Sequence, residues 1–139
     1  MKSMRANGTI RVARFVKQDV ADANSVKETD ANERSIGISD IGGREAPIPS
    51  VTADPPQAAQ TGDNVAVHFQ EGETCLLYAG SGGWTAGDRL KSDADGAGVT
   101  VATTGTTIQQ IGAEAESDCA AGSYGQVAIR HYSERPALS

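Results

Sequence analysis

Apolar and polar residues alternate along this chain in short bursts with a period of two, and no window sustains the 3.6-residue spacing of a helix. Arg89-Leu90-Lys91 and Val99-Thr100-Val101 are two such bursts, joined by Asp93-Ala94-Asp95-Gly96. Asp side chains there can accept from nearby backbone N–H groups and Gly96 can take a positive φ, so residues 86–101 predict a strand, a tight turn and a second strand. Thr9 to Lys17 is strand-like through Ile10, Val12, Phe15 and Val16, but its alternation slips between Val12 and Phe15, which predicts a bulge. Ser25-Val26-Lys27 and Ser35-Ile36-Gly37-Ile38-Ser39 read as short strands. Val65 to Phe69 and Thr74 to Ala79 read as a strand pair turning at Glu71-Gly72-Glu73. Thr107 to Ala113 and Gln126 to Tyr132 follow, separated by a turn through Ala120-Ala121-Gly122. The fold class expected is all-β, a small β-sandwich or β-barrel.

The pattern occurs twice. Val16-Lys17-Gln18-Asp19 matches Leu90-Lys91-Ser92-Asp93, Val26 falls near the place of Val99 or Val101, Ile36-Gly37 matches Ile111-Gly112, and Val65 to Phe69 matches Val127 to Tyr132. Four matches in one order predict two pseudo-repeated halves, 9–69 and 70–132, within a single domain 1–139. Residues 1–8 read as a flexible basic arm and 133–139 as a tail without strand pattern. The span from Ile36 to Val65 is thirteen residues longer than that from Ile111 to Val127, so the first half carries an insertion. That insertion is the segment 42–62, with Pro47, Pro49, Pro55 and Pro56 and no apolar period; a stiff, extended stretch of this kind suits reaching over a neighbouring surface through Ile48 and Val51.

Composition sharpens this picture. Apolar residues make up 38% of the chain and aromatics 4%, below the usual apolar share of roughly 45–50%, so the core is small and burial against a partner would help it. The net charge of −6 is polarised: residues 1–17 hold Lys2, Arg5, Arg11, Arg14 and Lys17 with no acid, and the remainder holds seven basic and eighteen acidic residues. A basic arm on an acidic body suits docking onto an acidic protein surface and argues against direct nucleic-acid binding by the body. The chain has no apolar run that would span a membrane and no apolar N-terminal core of a signal peptide.

Candidate chemistry is sparse. The run from Asp93 to Gly98 imitates the start of a calcium loop, but Ala97 stands at a ligand position and Thr104 where the closing acid belongs. His68 and His131 end equivalent strands with no converging ligands, so no metal and no cofactor are expected. Cys75 lies in the apolar run Cys75-Leu76-Leu77-Tyr78 and reads as a buried thiol; a Cys75–Cys119 disulfide is not favoured for a protein made in the cytosol. No motif supplies a base or oxyanion hole beside Cys75, so no catalytic residue is assigned. Trp84 follows the glycine-rich loop 80–83 and reads either as a core-edge residue or as an interface anchor.

The segment Thr85-Ala86-Gly87-Asp88-Arg89-Leu90-Lys91-Ser92-Asp93-Ala94-Asp95-Gly96, the Val-rich strand after it, Ile111-Gly112-Ala113 and the Ala-Gly turn before Val127-Ala128-Ile129 resemble the C-terminal half of the capsid cement, or decoration, proteins of tailed bacteriophages. Arg14-Phe15-Val16-Lys17 and Ile36 to Ser39 are similar in outline to the first half, and the resemblance covers residues 9–132. It implies a non-enzymatic protein made in the host cytoplasm and carried on the exterior of the capsid. Its partners would be the major capsid protein, at capsomer junctions, and other copies of itself, with a homotrimer favoured over a dimer. Contact candidates are then Lys2, Arg5, Arg11, Arg14, Lys17, Ile48, Val51 and Trp84. A small β-barrel enzyme or ligand-binding domain, which would need a pocket with converging polar groups, and a virion tail or fibre component are the alternatives.

Overall fold

Each burst of alternation becomes a strand because one face of it finds a core. The computed structural model describes residues 1–41, 57–102 and 107–134. Among these, twelve strands form and no helix does: β1 (Lys2–Ala6), β2 (Ile10–Arg11), β3 (Phe15–Asp19), β4 (Asp22–Glu28), β5 (Gly37–Ser39), β6 (Gln57–Ala59), β7 (Asn64–His68), β8 (Thr74–Tyr78), β9 (Arg89–Ser92), β10 (Gly98–Thr100), β11 (Gln109–Ala115) and β12 (Tyr124–Glu134). Strands of the first half close a barrel in the order β1-β4-β3-β5-β7, and those of the second half form a sheet in the order β10-β9-β11-β12-β8.

The two orders are the same once β1, β3, β4, β5 and β7 are laid on β8, β9, β10, β11 and β12. Registers agree residue by residue. Val26 faces Gln18 as Gly98 faces Ser92, and Gly37 faces Val16 as Ala113 faces Leu90. The parallel contact of Ala6 with Val26 that closes the barrel has its counterpart in the parallel bridge from Ala79 to Gly98. The N–H of Asn7 donates to Val26 O, and that of Gly80 to Gly98 O, both at 2.9 Å. The short β2–β6 pairing of Ile10 with Ala59 recurs as the bridge between Trp84 and Cys119. Ala13 (φ 55°) stands where the second half has Gly87 (φ 92°), each donating its N–H to the equivalent carbonyl, Ser39 and Ala115. The all-β reading with a repeated half is therefore how the chain is built.

Three details of the sequence alignment shift. Val26 sits at the place of Gly98 rather than Val99 or Val101, because position is set by the rung across the hairpin. Gly37 corresponds to Ala113 and not Gly112, since β11 is bulged between Ile111 and Ala113. Val67, not Val65, corresponds to Val127: each faces β5 or β11 at Ser39 and Ala115. A slip of two keeps every side chain on its own face, so the hydrophobic pattern cannot detect it. Twenty residues run from Ser39 to Ala59 and four from Ala115 to Cys119, so the insertion is sixteen residues long and falls between those points.

Other expectations are corrected. Residues 1–8 are no flexible arm: β1 is a barrel stave between β4 and β7, with Met4 and Ala6 buried. Ser133 and Glu134 of the expected tail belong to β12 and pair with Gln110 and Gln109. β7 and β8 do not pair with each other; β7 joins β1 and β5, and β8 joins β12. The predicted bulge after Val12 is a full break between β2 and β3, turned by the positive φ of Ala13.

Two cores result. One gathers Met4, Ile10, Val12, Val16, Val26, Val65 and Val67 inside the barrel. The other gathers Leu77, Trp84, Leu90, Ala113, Val127 and Ile129, and takes Phe15 and Ile38 across from the first half. Phe15 crosses beside Gly112, where a Cβ would come within 2.5 Å of its ring, so the bulge needs glycine. The N–H of Phe15 donates to Gly96 O and that of Tyr78 to Ala13 O, both at 2.8 Å, joining the halves through backbone.

Candidate functional site

The five cations of the N-terminal stretch meet different fates. Arg5 alternates with inward Met4 and Ala6 and points outward from β1, whereas Lys2 shares their parity at the strand's first position; both cations are exposed. Arg11 lies along Glu28, its Nη2 2.7 Å from Oε1 and its Nε 3.0 Å from Oε2; that bond raises its pKa above the ordinary arginine value. Arg14 is 2% exposed, lies 4.1 Å from the centroid of the Tyr78 ring and donates from Nη1 to Asp95 O at 3.1 Å. Burial lowers its pKa, but it stays a cation held by the ring face and a carbonyl. Lys17 reaches Glu33 at 2.6 Å and Asp30 at 3.0 Å, and the bond to Glu33 raises its pKa.

The basic stretch is thus not one docking arm. Arg14 is a strut between the halves, Arg11 and Lys17 are internally paired, and Lys2 and Arg5 remain on the surface. Trp84 is corrected too: it is 5% exposed, packs in the second core and donates from Nε1 to Ser117 O at 3.0 Å, so it anchors the fold and not an interface. Ile48 and Val51, with the segment 42–56, lie outside the described residues.

The sites weighed for catalysis resolve through their partners. His68 is clamped by carboxylates on both ring nitrogens, Nδ1 to Glu73 at 2.6 Å and Nε2 to Asp40 at 2.8 Å, and the bond to His68 holds Glu73 below the usual carboxylate range. Neither nitrogen is left for the Cys75 thiol. Burial pushes that thiol up to about 12, so it is protonated at neutral pH and a poor nucleophile. Cys75 and Cys119 are both free thiols. His131 meets the Phe69 carbonyl at 2.7 Å. Asp93 accepts from the N–H groups of Asp95 at 2.8 Å and Ala97 at 3.0 Å, which is turn chemistry and not cation binding. Among the described residues no three His, Cys, Asp or Glu side chains are placed to hold a metal ion.

A surface concavity among the described residues lies elsewhere, on the barrel. It has a volume of about 740 Å³ and is floored by Ile36 and Phe69 between the overhanging end of β3 and the end of β7. Lys17, Lys27 and Arg34 line it, and a contiguous hollow continues past Ile36 and Phe69 to Lys2 and Met4. Phe69 is 37% exposed although it shares the inward parity of Val65 and Val67. The only sequence signal for this site was that parity: an apolar residue one step beyond a strand's last inward position. The pattern alone could not show that the wall ends there.

No family model matches the chain, and no curated protein matches it. Among solved structures, the chain is similar to the crystal structure of the head fibre gp8.5 N base of bacteriophage phi29: TM-score 0.62 at 15% identity, covering 93% of this chain and 92% of that one. At that identity the likeness concerns the course of the backbone, and it includes both halves: the chain has the fold of that head-fibre base.

Proposed function

We propose that this protein is a structural component of a bacteriophage virion, carried on the outside of the head, with a role in attachment and not in catalysis. The observation that carries this reading is the likeness, over nearly the whole of both chains, to the N base of a phage head fibre. The resemblance of the hairpin around Asp93 to capsid cement proteins points the same way from the sequence. In the finer form of the proposal the protein binds the major capsid protein at capsomer junctions, self-associates there, as a trimer in preference to a dimer, and braces the shell. Many copies acting in parallel would make weak individual contacts sufficient. A second reading, a base that anchors a projecting fibre, is favoured by the neighbour's name alone.

The test is sedimentation of purified protein with assembled shells that lack it, followed by heating. A cement protein co-sediments and raises the temperature at which shells release their DNA. Co-sedimentation without protection selects the fibre-base reading. Absence of binding rejects both.

A further inference from the structure

Three neighbouring strands of the barrel bring an amine, an amide and a buried carboxylate together. β1 runs parallel to β4 with Ala6 beside Val26, and the N–H of Asn7 donates to Val26 O at 2.9 Å. Ala6 and Val26 are both buried in the barrel core, so the next positions, Asn7 and Lys27, stand side by side on its outer face. Adjacent strands lie about 4.8 Å apart, within reach of the flexible lysine stem. Asp19 ends β3, and its side chain is only 2% exposed. Its Oδ2 accepts from Asn7 Nδ2, and its Oδ1 lies 3.9 Å from Lys27 Nζ while accepting from the Ala21 N–H at 3.1 Å. The other nearby amine, Lys17, is held by Glu33 and Asp30.

The repeat shows how closely these three positions converge. Gly80, Val99 and Asp93 hold the equivalent places: the Gly80 N–H donates to Gly98 O, and Val99 faces Lys91 as Lys27 faces Lys17. A Cβ on Gly80 would come within 2.8 Å of Asp93 Oδ2 and 2.9 Å of Val99 Cγ1. The second half thus keeps the acid without the amide or the amine, and the first half has all three. We propose that Lys27 and Asn7 join in an isopeptide bond that staples β1 to β4, with Asp19 as the proton carrier. Lys27 Nζ gives one proton to Asp19 and attacks Asn7 Cγ. The Nζ–Cγ bond forms and the Cγ–Nδ2 bond breaks. Nδ2 takes a second proton from Nζ and leaves as ammonia, to which Asp19 returns its own proton. No oxidant or cofactor enters the balance. Groups fixed side by side on a sheet react as though highly concentrated. The Lys27 side chain is 47% exposed, which gives the ammonia a path to solvent. The product also relieves the like-charge pair that Lys17 and Lys27 make across the β3–β4 ladder.

The experiment follows the full chain by intact-mass spectrometry as the purified protein ages. The expected result is a growing species lighter than the sequence mass by one ammonia. Trypsin should then release residues 6–11 joined to residues 18–34, because the modified Lys27 is no longer cleaved. K27R, which keeps the charge on an exposed side chain, and N7S should both stay at full mass. D19N, checked for folding by circular dichroism, should convert at least about tenfold more slowly. Closure of Asn7 onto the Gly8 nitrogen would also shed ammonia, but that N–H is donated to Thr61 Oγ1 at 3.0 Å, and K27R separates the two reactions. Full mass in the aged wild-type protein overturns the proposal, as does an ammonia loss that survives K27R. Undiminished conversion in folded D19N overturns the role of Asp19. The measurement needs no shell, so its outcome is separate from that of the virion reading.

Discussion

Cys75 sits on the inward face of β8 with 8% of its surface exposed, and Cys119 sits on the loop before β12, partly open to solvent. Burial raises the pKa of both thiols, and carries Cys75 furthest, to about 12. Thiolate is the reactive form, so at pH 8 a thiol reagent such as DTNB should label Cys119 in the folded protein at least about tenfold faster than Cys75. In denaturant the two rates should converge. Equal native rates, read by mass spectrometry of the labelled peptides, would contradict the buried position of Cys75. The sequence made Cys75 legible as a core thiol because its apolar neighbours are adjacent to it. Arg14 was not legible: its partners, Tyr78 and the Asp95 carbonyl, lie more than sixty residues away.

At the scale of elements, β1 decides how the N-terminal residues behave. Five charges and no acid over 1–17 looked like a solvated arm, yet the alternation Lys2-Ser3-Met4-Arg5-Ala6 places Met4 and Ala6 in the barrel core. Burial of the methionine is worth about 2 kcal/mol, and the ladder to β7 adds about 1 kcal/mol per bond. Domains of this size hold roughly 5–15 kcal/mol in total, so removing residues 1–8 should abolish cooperative unfolding or lower the melting temperature by tens of degrees. Thermal circular dichroism decides it: an unchanged melt would restore the arm. The insertion between Ser39 and Ala59 contrasts with this strand, because the second half closes the equivalent turn with sixteen fewer residues.

At the scale of the whole molecule, the repeat does not yield two separable units. Phe15 and Ile38 of the first half fill the core of the second, Ser92 Oγ donates to Thr29 O at 3.1 Å, and the N–H of Asn32 donates to Ser92 O at 3.0 Å. A fragment covering 70–139 would lose Phe15, the largest fully buried side chain, from its core and leave the Gly96 carbonyl without the Phe15 N–H. Removing a buried Phe costs about 3–5 kcal/mol. The fragment should therefore be unfolded, with collapsed amide dispersion by NMR, and the intact chain should unfold in one transition. A folded fragment would show that the halves are autonomous.

What the sequence determined by itself was local: the β class, most strand positions, the Asp93 turn, the doubled order of elements and the Cys75 thiol. These depend on period-two patterning and turn chemistry, which act over a few residues. Tertiary structure decided which strands pair, that Arg14 and Trp84 are buried, that β1 closes a barrel, and that Phe69, just past the end of β7, is left exposed. Those outcomes depend on register between distant segments, and a slip of two residues leaves the hydrophobic pattern of a strand unchanged while moving every rung of its ladder.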